Sequence, residues 1–267
     1  MHPEGIPVVI NKSLRFSSTS VNHWRNAFRD ASELIDTIRP AILVANTMHS
    51  YLGAICACKL GITTALIIRE SECPFYISRN LPEEIAPYFF LLPYVVSKSF
   101  FVANATRGQW EYSPAADLGF ETIYNGLDLG ELYSHSVGIS QYAARQNLGI
   151  DQSSYTFLIL GTVTERKGQL SVLEAFTRFC LDSSEDINTQ LLIVGLEENE
   201  YSARISDFTA ALPAHIKNKI AIFEATDLPS DPLIAHAYKA SDCFIMASEF
   251  ESYPRVVLEA LAFGLPI

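Results

Sequence analysis

Three glutamates, Glu249, Glu251 and Glu259, punctuate the otherwise apolar run ASEFESYPRVVLEALAFGLPI at residues 247–267. Glu259 needs the most explanation, because Val256, Val257 and Leu258 precede it and Ala260 and Leu261 follow it. A helix that is apolar nearly all round is buried, and a buried carboxylate needs donors. Those donors can come from the protein or from ligand hydroxyls, such as those of a ribose or a sugar. Glu251 stands just before the expected helix start, where the helix dipole favours negative charge, so a structural explanation suffices for it. Pro254 suits the first helical position, where its missing N–H costs nothing. Glu249 reads as a solvated turn residue.

A basic pair offers a second chemistry. Arg166, Lys167 and Gly168 follow the apolar run YTFLILG at 155–161 and stand just before an expected helix. Two cations beside exposed backbone N–H groups suit a diphosphate. A solvated helix entry explains the same residues. His49, in NTMHS at 46–50, lies at the end of another apolar run. An imidazole at such a place more often makes structural hydrogen bonds than handles protons in a reaction.

The elements that must position these residues alternate in type. Short apolar runs at 41–46, 63–70, 95–104, 155–161, 190–195, 219–225 and 242–248 read as strands, and 122–126 begins with another. Longer amphipathic runs at 49–61, 169–181, 201–212, 232–241 and 254–263 read as helices, the first closed by Gly61 and the last by Gly264. This order predicts parallel sheets with helices on both faces. Residues 125–153 lack strand periodicity and read as an interdomain connection with a short helix near 140–149. A strand at 7–14 lacks the Gly-rich turn that opens a Rossmann-type half. A final strand is only beginning at 265–267. The expectation is a fragment of a longer chain, cut at both ends.

Composition narrows the classes. The chain has 267 residues, 49% hydrophobic and 18% charged, which is a globular balance. A net charge of -11 argues against a broad nucleic-acid surface. The five cysteines have no zinc-type spacing, and a reducing compartment is expected. No run reaches the roughly 20 apolar residues that span a bilayer. The run IAPYFFLLPYVV at 85–96 reads as a buried helix with irregular ends, against a partner domain or a membrane surface. No signal-peptide pattern stands at the N-terminus.

The run ESYPRVVLE at 251–259 resembles the E-x7-E signature of GT-B retaining glycosyltransferases of the group 1, or family 4, type. The likeness extends to 39–54, 122–128, 159–176, 191–195, 238–248 and 260–267, in order along most of the chain. It implies an α/β fold of the GT-B kind: two Rossmann-like domains with parallel sheets facing a cleft, both incomplete here. The expected divisions are 1–124 for the acceptor side, 125–153 for the connection and 154–267 for the nucleotide-sugar side.

It implies a transferase that moves a sugar from a nucleotide-diphosphate donor, such as a UDP-sugar or GDP-sugar, to an acceptor hydroxyl with retention. Glycan, polysaccharide or glycolipid assembly is the implied setting. Glu259 would hydrogen-bond the nucleotide ribose and Glu251 would sit near the donor sugar. Arg166 and Lys167 would neutralise the diphosphate, beside Gly161. Ser252, Tyr253, Pro254, Val256 and Val257 would lie against the donor, with N–H groups around Tyr253 to Val257 facing the phosphates. No Asp-x-Asp occurs in the chain, and neither a metal nor another cofactor is expected. The acceptor would be a glycan or a lipid-linked molecule. The protein would be cytoplasmic, with peripheral contact at the cytoplasmic face of a membrane, and joined to the rest of a longer chain.

The chain departs from the family at two places. Thr162 follows Gly161 where members often carry Arg, and Arg69 and Glu70 stand where many carry a His beside the donor sugar. His49, Arg69 and Glu70 are therefore candidate cleft residues. These departures keep two other readings open: a noncatalytic sugar-nucleotide-binding or scaffold domain, and a GT-B nucleotide-sugar epimerase.

Overall fold

The computed structural model describes residues 20–111, 119–183, 187–224 and 232–267. The strand expected at 7–14 lies outside them, as does the last residue of the strand expected at 219–225. The chain divides into two compact units. One holds residues up to Asn125 together with Glu251–Tyr253; the other holds Gly126–Phe250 and Pro254–Ile267.

In the first unit, α1 (Val21–Ile38) precedes β1 (Ile42–Asn46), α2 (Tyr51–Lys59), β2 (Thr63–Ile68), α3 (Pro74–Ser78) and α4 (Ala86–Val95). Then come β3 (Lys98–Phe101), α5 (Asn104–Gly108) and β4 (Phe120–Thr122). The four strands are parallel, in the order β1-β2-β3-β4. Their buried face carries Leu66, Ile68 and Phe101, which pack with Tyr51, Phe89, Leu92 and Trp110. The opposite pleat is less covered, and Ile42 and Val44 of β1 are exposed. α1 starts at Ser20, whose hydroxyl accepts from the N–H of His23, and buries Ala27, Ala31 and Ile35. No expected element corresponds to it.

Gly61 takes a positive φ of 71° just past α2, as its place after the helix requires. The helix expected at 85–96 forms as α4, with Phe89, Leu92 and Pro93 buried. It is only half covered, because Tyr88, Leu91 and Val95 are exposed. Among the described residues no helix is long and apolar enough to cross a membrane.

The second unit runs α6 (Leu129–Ser134), α7 (Gln141–Leu148), β5 (Tyr155–Leu160), α8 (Gln169–Asp182) and β6 (Thr189–Leu196). It continues with α9 (Glu200–Ala210), α10 (Ala214–Lys217), β7 (Ile220–Glu224), α11 (Pro232–Ala240), β8 (Cys243–Phe244) and α12 (Arg255–Ala262). All strands are parallel, in the order β7-β6-β5-β8. Both faces of this sheet are covered. On one side Leu158, Leu192 and Val194 meet Ala144, Tyr238 and Ala260. On the other, Ile159, Leu191 and Ile193 meet Leu173, Phe176 and Ile205. That double burial is why β5 and β6 read as continuous apolar runs.

Residues 126–153, expected as a connection, group with the second unit. Ala144, Leu148 and Ile150 are buried in its core, and the Tyr133 hydroxyl donates to the Ala262 carbonyl at 2.6 Å. The buried Arg145 ties α7 to the turn before β8. Its Nη2 donates to Asp242 Oδ2 at 2.6 Å and its Nε to the Ala240 carbonyl at 2.9 Å.

Three expected strands change. The strand expected to begin at 122 forms earlier, as β4, and ends at Thr122. β8 holds two residues instead of seven, because its pairing with β5 ends at Phe244 and the last ladder bond is from Ile245 to the Leu158 carbonyl. Residues 265–267 form no strand, although the Pro266 carbonyl accepts the N–H of Phe244 at 2.9 Å.

Candidate functional site

The strand order of the second sheet locates its binding edge. From β5 the chain moves outward through β6 and β7, then returns to place β8 on the other side of β5. The reversal lies between β5 and β8, and the loops that leave their carboxyl ends are where open α/β sheets bind ligands. Those loops are 161–168 and 245–254.

Glycine permits the close approaches that shape this edge. A Cβ on Gly195 would stand 2.2 Å from the Gly161 carbonyl oxygen, and one on Gly168 would stand 2.6 Å from the Ala247 oxygen. Both glycines also take φ values in the left-handed half, 118° and 72°. The loop after β5 is braced from inside. Gln169 is buried and donates its amide to the Gly161 and Thr162 carbonyls at 3.2 and 3.3 Å. Asn199 caps α9 and donates to the Val163 carbonyl at 3.0 Å.

Arg166 joins the two loops. Its Nη1 donates to the Phe250 carbonyl at 2.8 Å, and its own carbonyl accepts the N–H of Glu249 at 2.9 Å. Lys167 sits beside it in the same short 3-10 turn, Glu165–Lys167, half-buried. Thr162 donates to Glu197 Oε1 at 3.3 Å. Beyond it a hollow of about 590 Å³ opens at the ends of β6 and β7, lined by Glu197, Glu198, Asn199, Ser202 and Glu224 among others. Nothing in the sequence pattern singles this hollow out, because its carboxylates come from two strand ends far apart in the chain.

Glu259 is 9% exposed, on the inner face of α12. Its Oε2 accepts from the Tyr238 hydroxyl at 2.9 Å, and its Oε1 lies 3.6 Å from Nη2 of Arg255, one turn earlier. The donors that its burial demands therefore include protein groups. Burial first, and then the charge of Glu259, push the Tyr238 phenol far above the usual tyrosine range. Tyr238 itself gives no sign in the sequence, since it stands 21 positions earlier on another helix.

Pro254 lies at the N-cap of α12 and not inside its first turn, as expected from sequence. Its carbonyl accepts the N–H of Val257 at 3.2 Å, so the backbone pairs locally there. Val256 and Val257 pack against the second core. Glu251, Ser252 and Tyr253 group with the first unit.

In the first unit, His49, Arg69 and Glu70 come together at the carboxyl ends of β1 and β2. The Glu70 side chain is 7% exposed. Its Oε1 accepts the N–H of Met48 at 2.8 Å and faces His49 Nδ1 at 3.2 Å, while Oε2 accepts the N–H of Arg69 at 3.0 Å. Arg69 donates from Nε to Asn46 at 2.7 Å and from Nη1 to Asn125 at 3.0 Å. Thr47, between these strands' ends, holds a φ of 76°, a strained value for a β-branched residue. The imidazole is 57% exposed, with Nδ1 facing the carboxylate.

Among the described residues no cluster of three or more His, Cys, Asp or Glu side chains could hold a metal ion.

Residues 140–267 match the family model of glycosyl transferases group 1. The chain is also 28% identical over 123 residues to an uncharacterized glycosyltransferase of Methanocaldococcus jannaschii, covering 46% of this chain and 27% of the relative. Two solved structures are similar across nearly the whole chain. Anabaena HepE in complex with UDP-glucose has a TM-score of 0.66 at 18% identity, over 91% of this chain and 62% of that one. Sucrose-phosphate synthase from Thermosynechococcus elongatus has a TM-score of 0.68 at 15% identity, over 92% and 59%. The chain thus spans less than two thirds of each of these proteins. At such identities the structural likeness is one of fold, and the fold is GT-B, with two Rossmann-like parallel sheets. The resemblance drawn from sequence is met at the level of group 1 glycosyl transferases over residues 140–267.

Proposed function

We propose that the chain carries the donor side of a family 4 type glycosyltransferase, with Glu251 and Glu259 as its E-x7-E pair. The enzyme moves a sugar from a nucleoside diphosphate to an acceptor hydroxyl with retention, in glycan, polysaccharide or glycolipid assembly. The observation that carries this reading is the placing of Arg166, Lys167 and the α12 N-terminus at the strand reversal of the second sheet. Departure of a nucleoside diphosphate builds negative charge on its phosphate oxygens. Fixed cations and an oriented helix end stabilise that charge without reorganising. The match of residues 140–267 to group 1 glycosyl transferases and the likeness to HepE with UDP-glucose support a nucleotide-sugar as the ligand.

In this reading Arg166 fixes the loop and neutralises the phosphates together with Lys167, beside Gly161, with no metal or other cofactor. Ser252, Tyr253, Pro254, Val256 and Val257 lie along the donor. Glu259 accepts from the ribose hydroxyls and Glu251 from the sugar. The acceptor oxygen attacks the anomeric carbon on the face the phosphate leaves, and the departing phosphate oxygen takes the acceptor proton. Bond made and bond broken share one face, so configuration is retained. His49, Arg69 and Glu70 belong to the acceptor side, with a glycan or a lipid-linked molecule as acceptor. The exposed Tyr88, Leu91 and Val95 of α4 favour peripheral contact with the cytoplasmic face of a membrane.

One observation favours a second reading, a noncatalytic sugar-nucleotide-binding domain: Glu259 already has Tyr238 and Arg255 as partners, and so can be satisfied without ligand. A screen of UDP-, GDP- and ADP-sugars with nucleotide release as readout separates the two. Release from one donor is expected. Binding by calorimetry without release supports the noncatalytic domain, and no binding of any of the three overturns both readings.

A further inference from the structure

Tyr238 is 1% exposed, and its ring is fixed on two sides. It stacks on Phe263 with centroids 5.2 Å apart at 13°, and lies against Phe244 at 6.2 Å. Its hydroxyl lies 2.9 Å from Glu259 Oε2 and 3.3 Å from the Val256 carbonyl. A phenol has one proton to give. The carboxylate is nearer and charged, and charge-assisted bonds are about twice as strong, so the proton points to Glu259.

The result is an asymmetric carboxylate. Oε2 is held within the core, while Oε1 turns toward Arg255, whose side chain is 57% exposed. Burial and the Glu259 charge keep the phenol protonated, so it serves as a donor through the whole neutral range. An apolar pair at these two positions would pack more simply, and replacing buried polar pairs in that way often costs no stability.

We propose that Tyr238 is a positioning residue: it holds the Glu259 carboxylate in the orientation that presents Oε1 to a nucleotide ribose. This rests on the donor-site reading above. Tyr238 touches no substrate; it acts through Glu259, and its effect is confined to ligands that carry the ribose hydroxyls.

The test compares UDP, GDP and ADP by calorimetry on the full chain, and then the tightest binder with its 2′,3′-dideoxy counterpart. The wild-type chain is expected to prefer the ribose form by about tenfold or more, the scale of a hydrogen bond to a charged group. Tyr238→Phe is expected to remove most of that preference while leaving affinity for the dideoxy form within about twofold. The double variant Tyr238→Phe, Glu259→Gln should lose no more than Glu259→Gln alone, because both act through one carboxylate. An unchanged preference in Tyr238→Phe makes the tyrosine purely structural and overturns the proposal while the donor reading stands. Absence of nucleotide binding in the wild type overturns both. If Tyr238→Phe does not fold, Phe263→Leu keeps the hydroxyl but removes the stacked ring. It should lower the ribose preference, and an unchanged value again overturns the proposal.

Discussion

The hydroxyl of Tyr238 stands 2.9 Å from Oε2 of Glu259, with both side chains buried between α11 and α12. The pair makes stability sensitive to alkali. Tyr238, Tyr51 and Cys56 all hold their protons more tightly folded than unfolded, burial being the largest cause for each. Below the ordinary thiol and phenol values of 9.0 and 10.0 both states are protonated, and these groups leave stability unchanged. Above them the unfolded chain releases protons that the folded chain keeps, so stability falls as pH rises. Denaturant midpoints are expected to be flat from pH 7 to about 9 and to decline beyond. Tyr238→Phe should make that decline shallower above pH ~10.5, by up to about 1.4 kcal/mol per pH unit. An equal slope in both proteins would show that the phenol ionises as freely folded as unfolded.

Arg166 and Lys167 are adjacent, yet their substitutions should separate. Lys167→Ala is expected to lower nucleotide release from the accepted donor by about 100-fold, well beyond any loss of stability. Arg166→Ala removes the bond to the Phe250 carbonyl as well as a cation. It should lower both release and stability, the latter by about 1–2 kcal/mol. An unchanged melting temperature in Arg166→Ala would mean that the loop does not depend on Arg166.

Gly195→Ala is expected to damage the edge without touching a charged group. Its Cβ would stand 2.2 Å from the Gly161 oxygen, at a φ of 118° that suits only glycine. The atom struck is backbone at the end of a central strand, so relief requires β5 or β6 to move. A loss of at least ~2 kcal/mol is expected in urea unfolding. Gly53→Ala, in open space on α2, serves as the harmless comparison.

Arg145 is 4% exposed and its guanidinium meets Asp242, the Ala240 carbonyl and the Gln152 carbonyl. Removing one partner of a buried ion pair leaves an uncompensated charge and typically costs about 3–5 kcal/mol. Asp242 retains the N–H of Thr156 as a donor at 2.8 Å, so Arg145→Met should fall near the lower end, ~3 kcal/mol. Thermal unfolding of the variant measures this directly, and a change below ~1 kcal/mol would mean that the pair is solvated.

How far the sequence foretells this fold depends on how its elements are buried. β5, β6 and α8 lie within a residue or two of their expected bounds, because a doubly covered strand must be apolar throughout. The burial of Glu259 was legible from its neighbours for the same reason. α1 has no such announcement: its buried positions include Ala27 and Ala31, too small to form an apolar stripe. Arg145 looks like any surface arginine until Asp242 folds over it, 97 positions later. The cluster of His49, Arg69 and Glu70 could be suspected from strand ends, yet the part played by Asn46 and Asn125 depends on tertiary distances that no local pattern encodes.

The placing of β8 beside β5 also sets a timetable. The turn holding Arg166 leaves the ribosome 84 residues before the Phe250 carbonyl that secures it. At roughly 5–20 residues per second, that interval is on the order of ten seconds. Until then β5 offers an unpaired apolar edge, and closing so long a loop carries an entropic cost. Substitutions that weaken the β5–β8 seam should therefore show themselves first as poor yield and aggregation during synthesis, before any defect is visible in the finished molecule.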